Sequence, residues 1–176
     1  MNLITKLHLS SAFFMIVALN TYAQNTTKID ESNLVTQMLG IENISPAEAN
    51  SYFINKKYNL VSRSNKDMGG YEAMLIKYKI PQATDSYCII VVKDQITIAM
   101  YITYSNDLYL KTLNDALKMG FKKLEEANSD PAETVYEKGN EDFLVRTTRI
   151  QDKTFYVMEA YDVIRAGKAG LGAKGN

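Results

Sequence analysis

Tryptophan is absent from this sequence, histidine and cysteine occur once each, and only three residues are proline. The lone cysteine, Cys88, has no partner in the chain, which excludes an intramolecular disulfide. It lies in the apolar stretch SYCIIVV, a setting that favours a buried, inert thiol. Basic and acidic residues balance at 20 each. The chain therefore offers no strong field for nucleic acid or for an anionic membrane.

The start of the chain combines a basic residue with an apolar run. Lys6 precedes an apolar run over Ala12 to Leu19, and Thr21-Tyr22-Ala23 has the small-x-small pattern of a cleavage site. These features predict a secretory signal peptide over residues 1–23, with cleavage before Gln24. An N-terminal membrane anchor is the alternative, but a spanning helix needs roughly 20 apolar residues.

Cleavage before Gln24 changes the inventory of chemical groups. It removes His8, the single histidine. It also removes one of the 20 basic residues, Lys6, and none of the 20 acidic residues, so the formal charge of the cleaved chain is −1. A chain without histidine has no Ser-His-Asp or Cys-His nucleophilic system and no histidine ligand for zinc. We expect a periplasmic or secreted protein of a Gram-negative bacterium, since an exported domain without a disulfide suits that compartment. No membrane insertion is expected after cleavage.

The first half of the chain passes from helical to strand patterns. Segment 24–44 is predicted to hold one short helix that ends at Gly40. The run Ser45 to Glu48 combines a capping box with proline at the first helical position, so a second helix begins there. The hydrophobic period then changes from 3.6 to 2, and four strand-like stretches follow up to Tyr104.

The second half repeats this order of patterns. The stretch NDLYLKTLNDALKMG is the most regular helix pattern, and Leu113 and Leu117 are predicted to be buried on it. Four strand-like stretches follow. The passages KKYNLVSRSNKD and MGFKKLEEANSD thus look like one helix-to-strand junction present twice. We predict a first unit over residues 45–104, a second over 105–164, and a flexible tail over 165–176.

These patterns predict an α+β fold built from two tandem units. Each unit is a helix followed by a four-stranded antiparallel meander, and the helices lie on one face of the sheet. An ordinary α+β domain whose halves are alike by chance is the alternative. Two such units, the first opened by an extra short helix, resemble the β-lactamase inhibitor protein fold. The resemblance covers Glu31 to Ile164 in element order only; it implies sheet faces available to a protein partner and carries no binding residue across.

Tyrosine is the abundant aromatic residue of the chain, with 12 tyrosines against six phenylalanines. Tyrosine combines a large apolar area with a polar tip, which suits binding interfaces, although it also suits strand pairing. Several tyrosines fall on strand positions opposite the expected core. The residues predicted to form a partner-binding face are Tyr71, Tyr101, Arg146 and Tyr156.

This assignment depends on which side of each strand faces the core. In ITIAMYITY the isoleucines and Met100 are placed inside, which sends Tyr101 outside. In KTFYVMEAY, Phe155 and Val157 are placed inside, which sends Tyr156 outside. The same alternation in DFLVRTTRI sends Arg146 outside.

Two classes of function are compatible with these observations. The first is an exported, non-catalytic binding or inhibitory module that binds a protein, peptide or envelope ligand through a tyrosine-rich sheet face. The alternative is a periplasmic hydrolase that uses carboxylates or a serine without histidine. No nucleophile–base motif, phosphate-binding loop or calcium loop is present, so no catalytic residue, metal site or cofactor is predicted.

The signal peptide is testable directly. Protein isolated from its source should begin at Gln24, because Ala23 is the small residue that closes the apolar run. N-terminal sequencing measures this, and soluble protein that still begins at Met1 would contradict the prediction of export.

Overall fold

The structure, a computed structural model, describes residues 29–67, 72–124, 133–150 and 152–163. The predicted signal peptide and the predicted tail lie outside these residues. The described chain is a mixed α+β fold with more strand than helix. Its helices are α1 (Leu34–Glu42), α2 (Pro46–Asn55) and α3 (Asn106–Lys118). Its strands are β1 (Asn59–Asp67), β2 (Glu72–Lys79), β3 (Ser86–Val92), β4 (Gln95–Thr103), β5 (Lys122–Lys123), β6 (Glu133–Lys138), β7 (Glu141–Ile150) and β8 (Lys153–Asp162).

The strands form one eight-stranded antiparallel sheet in the order β1-β2-β3-β4-β8-β7-β6-β5. Strands β1 to β4 pair in sequence, and so do β5 to β8. The two sets meet at the pairing of β4 with β8, whose register runs from Ala99 opposite Ala160 to Thr103 opposite Tyr156. We call this pairing the seam. It is the place where the two meanders become one sheet.

The two ends of the sheet are polar. Strand β1 has the sequence NLVSRSNKD, and eight of its nine residues are exposed. Strand β5 consists of two exposed lysines, Lys122 and Lys123. Polar or charged residues thus make up most of β1 and all of β5, and Leu60 and Val61 of β1 are exposed beside them.

Helix α1 begins as the local sequence requires but ends later than predicted. The side chain of Asn33 caps it by accepting a hydrogen bond from the backbone N–H of Thr36 at 3.0 Å. The helix continues through Gly40 to Glu42, so the prediction that Gly40 ends it is wrong. A Cβ atom at Gly40 would lie 3.0 Å from the side chain of Ile29. This glycine allows the incoming chain to pack closely against the helix.

The predicted start of helix α2 is confirmed. The hydroxyl of Ser45 accepts a hydrogen bond from the backbone N–H of Glu48, and the Glu48 carboxylate accepts one from the Ser45 N–H at 2.8 Å. Pro46 occupies the first helical turn. These contacts satisfy backbone donors that a helix start otherwise leaves unpaired.

The two sides of the sheet differ in what they contact. One alternation of the strands joins residues of all three helices in the main hydrophobic core. We call this the core side; its large, fully buried strand residues include Tyr78, Tyr87, Phe143 and Met158. The other alternation, which we call the far side, holds a second cluster of Ala73, Ile90 and Val92, to which no described helix residue contributes.

Small side chains lie where α1 crosses the seam. Ala99 and Ala160 are register partners, both are completely buried, and α1 contacts both of their strands. An alanine leaves room for a helix to approach the sheet closely. The larger side chains Val35, Met38 and Ile41 of α1 are all fully buried in the same core cluster as the two alanines.

Helix α3 is rotated relative to the prediction. Its buried residues are Thr112 and Ala116, and Leu113 is half-buried against the main core. Leu117 is 52 % exposed, so the prediction that it is buried is wrong. Small residues on the inner face of α3 allow it to pack closely, as the alanines of the seam strands do for α1. The leucine stripe of α3 therefore points partly to solvent.

Two substitutions test this packing. Ala99→Leu should lower the free energy of unfolding by about 1–3 kcal/mol, because the added atoms meet α1 in a filled core. Leu117→Ala should change it by less than about 0.5 kcal/mol, because most of that side chain is already in water. Urea unfolding of both variants measures the difference. If Leu117→Ala is the more damaging change, α3 turns its leucine stripe, and not Thr112 and Ala116, toward the sheet.

Candidate binding surface

The structure separates the four residues predicted to form the binding face. Arg146 lies on the far side, as expected, and Tyr71 lies outside the described residues. Tyr101 and Tyr156 lie on the core side, so the prediction that they point away from the core is wrong. The far side therefore receives only one of the three described residues that the sequence predicts there.

Tyr101 is part of the main core. Its ring packs edge-on against Tyr87 at 4.7 Å between centroids, and its hydroxyl donates to the carboxylate of Asp85 at 2.9 Å. Burial is the main cause that raises the pKa of this tyrosine, and the hydrogen bond to Asp85 raises it further. Such contacts give Tyr101 a structural role beneath the helices.

Tyr156 packs against helix α3. Its ring stacks on Tyr109 with the centroids 4.4 Å apart, and its hydroxyl donates to Asn106 at 2.9 Å. The alternation predicted for β8 is correct, but the prediction places Phe155 and Val157 on the core side and Tyr156 outside, and the structure has the reverse. At the seam the core side carries Ala99 and Ala160 beside the larger Tyr101, Met158 and Tyr156.

A β-bulge adds to the error in β4. The register between β3 and β4 shifts after Ile90, and the hydroxyl of Thr97 donates to the carbonyl of Ile90 at 3.1 Å. As a result Ile96 belongs to the main core while Ile98 packs in the far-side cluster. The two isoleucines, predicted to share one side, lie on opposite sides.

The far side is a continuous apolar strip across the middle of the sheet. Its members on the central strands are half-buried or buried. They are Leu75, Ile90, Ile98, Met100, Ile102 and Val157. Tyr104 and Phe155 extend the strip as an aromatic pair, with ring centroids 5.8 Å apart. Tyr104 is the exposed member of the strip at 46 %, and the other members are half-buried or buried.

Charged groups bound the strip with opposite signs at its two ends. Lys77 and Lys79 lie on the far side of β2. Glu133, Asp142 and Glu159 lie on the far side of β6, β7 and β8. The exposed guanidinium of Arg146 forms an ion pair with Glu159 among these carboxylates. The far side is thus basic at one end, apolar in the middle and mainly acidic at the other end.

Burial raises the pKa of two of these carboxyl groups. Glu159 is only 8 % exposed, and burial raises its pKa although Arg146 acts to lower it. Burial also raises the pKa of Asp142, whose carboxylate accepts a hydrogen bond from Tyr161. We expect the burial effect to prevail at Glu159, because the Arg146 side chain is 43 % exposed and its charge is screened by water.

A separate groove of about 1000 Å³ lies between the segment before α1 and helix α2. Its carboxylates already have partners. Glu31 binds Lys56 at 2.6 Å, and Glu48 binds Ser45 in the capping box. These bonds lower the pKa values of Glu31 and Glu48, which keeps both groups ionised. Ionised, structurally engaged carboxylates are poor proton donors at neutral pH.

Two further features of the described residues bear on function. No three His, Cys, Asp or Glu side chains among them are placed to share a metal ion. In the same part of the chain, every helix is too short or too polar to span a bilayer.

Comparison with known proteins finds no protein-family model, no curated protein and no solved structure that matches this chain. The resemblance to the β-lactamase inhibitor protein fold stays a prediction from element order.

The buried carboxyl on the far side gives a pH-dependent prediction. The folded-state pKa of Glu159 is raised above the ordinary value of 4.5. The stabilisation linked to its protonation is therefore present below that value and is lost as pH rises through the raised pKa. Glu159→Gln removes this titration. The thermal midpoint of the variant minus that of the wild type should become more positive from about pH 4 to about pH 7.5.

The exposed Glu72, replaced by glutamine, is the matched control, and its difference should vary less with pH. A difference for Glu159→Gln that falls as pH rises would show that the ion pair with Arg146 outweighs burial.

Proposed function

We propose that this protein is an exported, non-catalytic binding or inhibitory module that binds a protein partner through the far side of its sheet. The observation that carries the proposal is the apolar strip with its aromatic pair, Tyr104 and Phe155, and the nearby Arg146. No described helix residue packs in the far-side cluster. An apolar strip of this extent next to an arginine is a composition favoured at binding hot spots.

This strip replaces the tyrosine-rich face that the sequence predicts. Tyr101 packs against the main core and Tyr156 stacks on Tyr109 of α3, whereas Tyr104 is 46 % exposed at one end of the strip. The type of anchor is the same, an aromatic side chain with a polar tip, but its position is different.

The finer architecture is part of the proposal. We infer that the two meanders are tandem copies of one unit and that all three helices cover the core side alone. The sequential pairing of β1 to β4 and of β5 to β8 supports this inference. So does the main core, which combines residues of the three helices with one alternation of the strands. In the fold that the sequence resembles, a sheet with helices on one face offers its other face to a protein partner.

Export to the periplasm or medium is the second part of the proposal. The apolar run and small-x-small pattern before Gln24 support it. An exported binding module meets other exported proteins, peptides or envelope components. The apolar middle of the strip favours a protein surface over a highly charged polymer such as nucleic acid.

A hydrolase is the second candidate, and one observation favours it. Asp142 and Glu159 are carboxyl groups with raised pKa values on neighbouring strands, a property of acid catalysts. Both are already engaged, Asp142 with Tyr161 and Glu159 with Arg146. Neither lines the groove beside α2. We therefore favour binding.

Affinity capture with matched variants tests the proposed function. The exported chain is immobilised and exposed to a periplasmic extract of its source. Tyr104→Ala should weaken capture of a specific partner at least about tenfold, because it removes an aromatic anchor of the strip. Leu110→Ala is the control, since Leu110 on α3 is 52 % exposed and lies away from the sheet. It should leave capture unchanged.

Equal capture by both variants would show that the partner binds elsewhere on the molecule. Thermal midpoints of both variants should match the wild type, which separates a lost anchor from a lost fold.

A further inference from the structure

We propose that, without another partner, the far side is covered by the far side of a second copy of this chain. The inference rests on the proposed function, because it concerns the same surface. It assigns a regulation to that surface: self-association hides the binding strip until a partner with higher affinity displaces the second copy.

The first argument is charge complementarity along one cross-strand row. The register places Lys79 opposite Ser86, Ser86 opposite Ile102, and Ile102 opposite Val157. The row continues from Val157 to Arg146 and ends at Glu133. It therefore has a lysine and then a serine at one end, aliphatic residues at its centre, and Arg146 followed by a glutamate at the other end.

Such a row is complementary to itself. A two-fold axis parallel to the strands and centred on the seam places Lys79 of one copy opposite Glu133 of the other, and the reverse contact forms at the far end. The same operation places Ile102 opposite Val157 at the centre. Unlike charges meet at both ends, and the apolar residues meet each other.

The second argument is area. Together with its charged borders, the strip extends over the six strands from β2 to β6 and over three same-side residues along each strand. With the usual strand spacing and rise, its footprint is about 600 Å² per copy. A pair would then bury about 1200 Å² in total, which is the lower end for specific association. This area suits a reversible pair that a better partner displaces.

The geometry of sheet packing is compatible with this pairing. Two sheets stack about 10 Å apart when aliphatic side chains interdigitate between them. Met100, Ile98 and Ile102 provide such side chains on the central strand of the far side. The helices of both copies would lie on the outside of the resulting four-layer assembly.

Sedimentation equilibrium of the exported chain tests the proposal. The wild type should shift from one copy to two as its concentration rises to about 100 µM. Ile102→Glu should raise the dissociation constant at least about tenfold, because it places a charge at the apolar centre. Leu110→Glu, a change to the same residue type on the exposed surface of α3, should leave the dissociation constant unchanged.

Charge reversal tests the arrangement of the two copies. Lys79→Glu and Glu133→Lys should each weaken association, because each places like charges together at both ends of the row. The two reversals combined in one chain should restore it, since the unlike pairs re-form between copies. Thermal midpoints close to the wild type would confirm that the variants are folded.

The outcomes separate this inference from the proposed function. A wild-type chain that stays a single copy at every concentration, or an association insensitive to Ile102→Glu and to both reversals, overturns the inference. If that single copy still captures a partner through Tyr104, the proposed function stands alone. A chain that pairs through the far side but captures nothing supports the inference and contradicts the proposed function.

Discussion

The packing of α1 across the β4–β8 seam is the contact on which the rest of the molecule depends. The seam has five register pairs, fewer than any other pairing between strands of five residues or more. It is nevertheless the strand pairing that joins the two meanders into one sheet. Helix α1 contacts both seam strands. At its end, the carboxylate of the nearly fully buried Glu42 accepts a hydrogen bond from the backbone N–H of Asp162 at 2.7 Å. One helix thus stabilises the pairing where the sheet has the fewest backbone pairs.

That packing also determines which strand alternation faces the helices. A helix that approaches closely needs small side chains beneath it, and Ala99 and Ala160 provide them. Larger residues such as Tyr101 and Met158 lie beside these alanines, and the far side of the same strands carries Ile98, Met100, Ile102 and Val157. Both sides of the seam strands are therefore apolar.

Much of the architecture was predictable from local patterns. The capping box at Ser45, the change of period after α2 and the antiparallel meanders are all local signals, and each predicts the element that the structure contains. The end of α1 was not predictable in this way, because the role of Gly40 depends on its contact with Ile29, which lies outside the helix. The length of a helix is decided by tertiary contacts as well as by its own residues.

The binding surface was predictable only in part. The alternation was correct for β2 and β7, where Ile76 and Phe143 face the core and Arg146 faces away. It was reversed for β4 and β8, because both sides of the central strands are apolar and size alone does not identify the helix side. The pair Ala99 and Ala160 was the available signal: two small residues within otherwise bulky strands indicate a helix above them. The bulge at Thr97 has no comparable signal in a single sequence.

The polar ends of the sheet have a consequence for how the molecule behaves in a crowded compartment. Edge strands offer backbone groups that can recruit further strands without limit, which is the route to fibrils. In this sheet one edge is the exposed and largely polar β1, and the other is the two-lysine β5. Neither favours added strands. The polar and charged residues that dominate both edges disfavour growth by strand addition, which lowers the tendency of a protein with an apolar face to form fibrils.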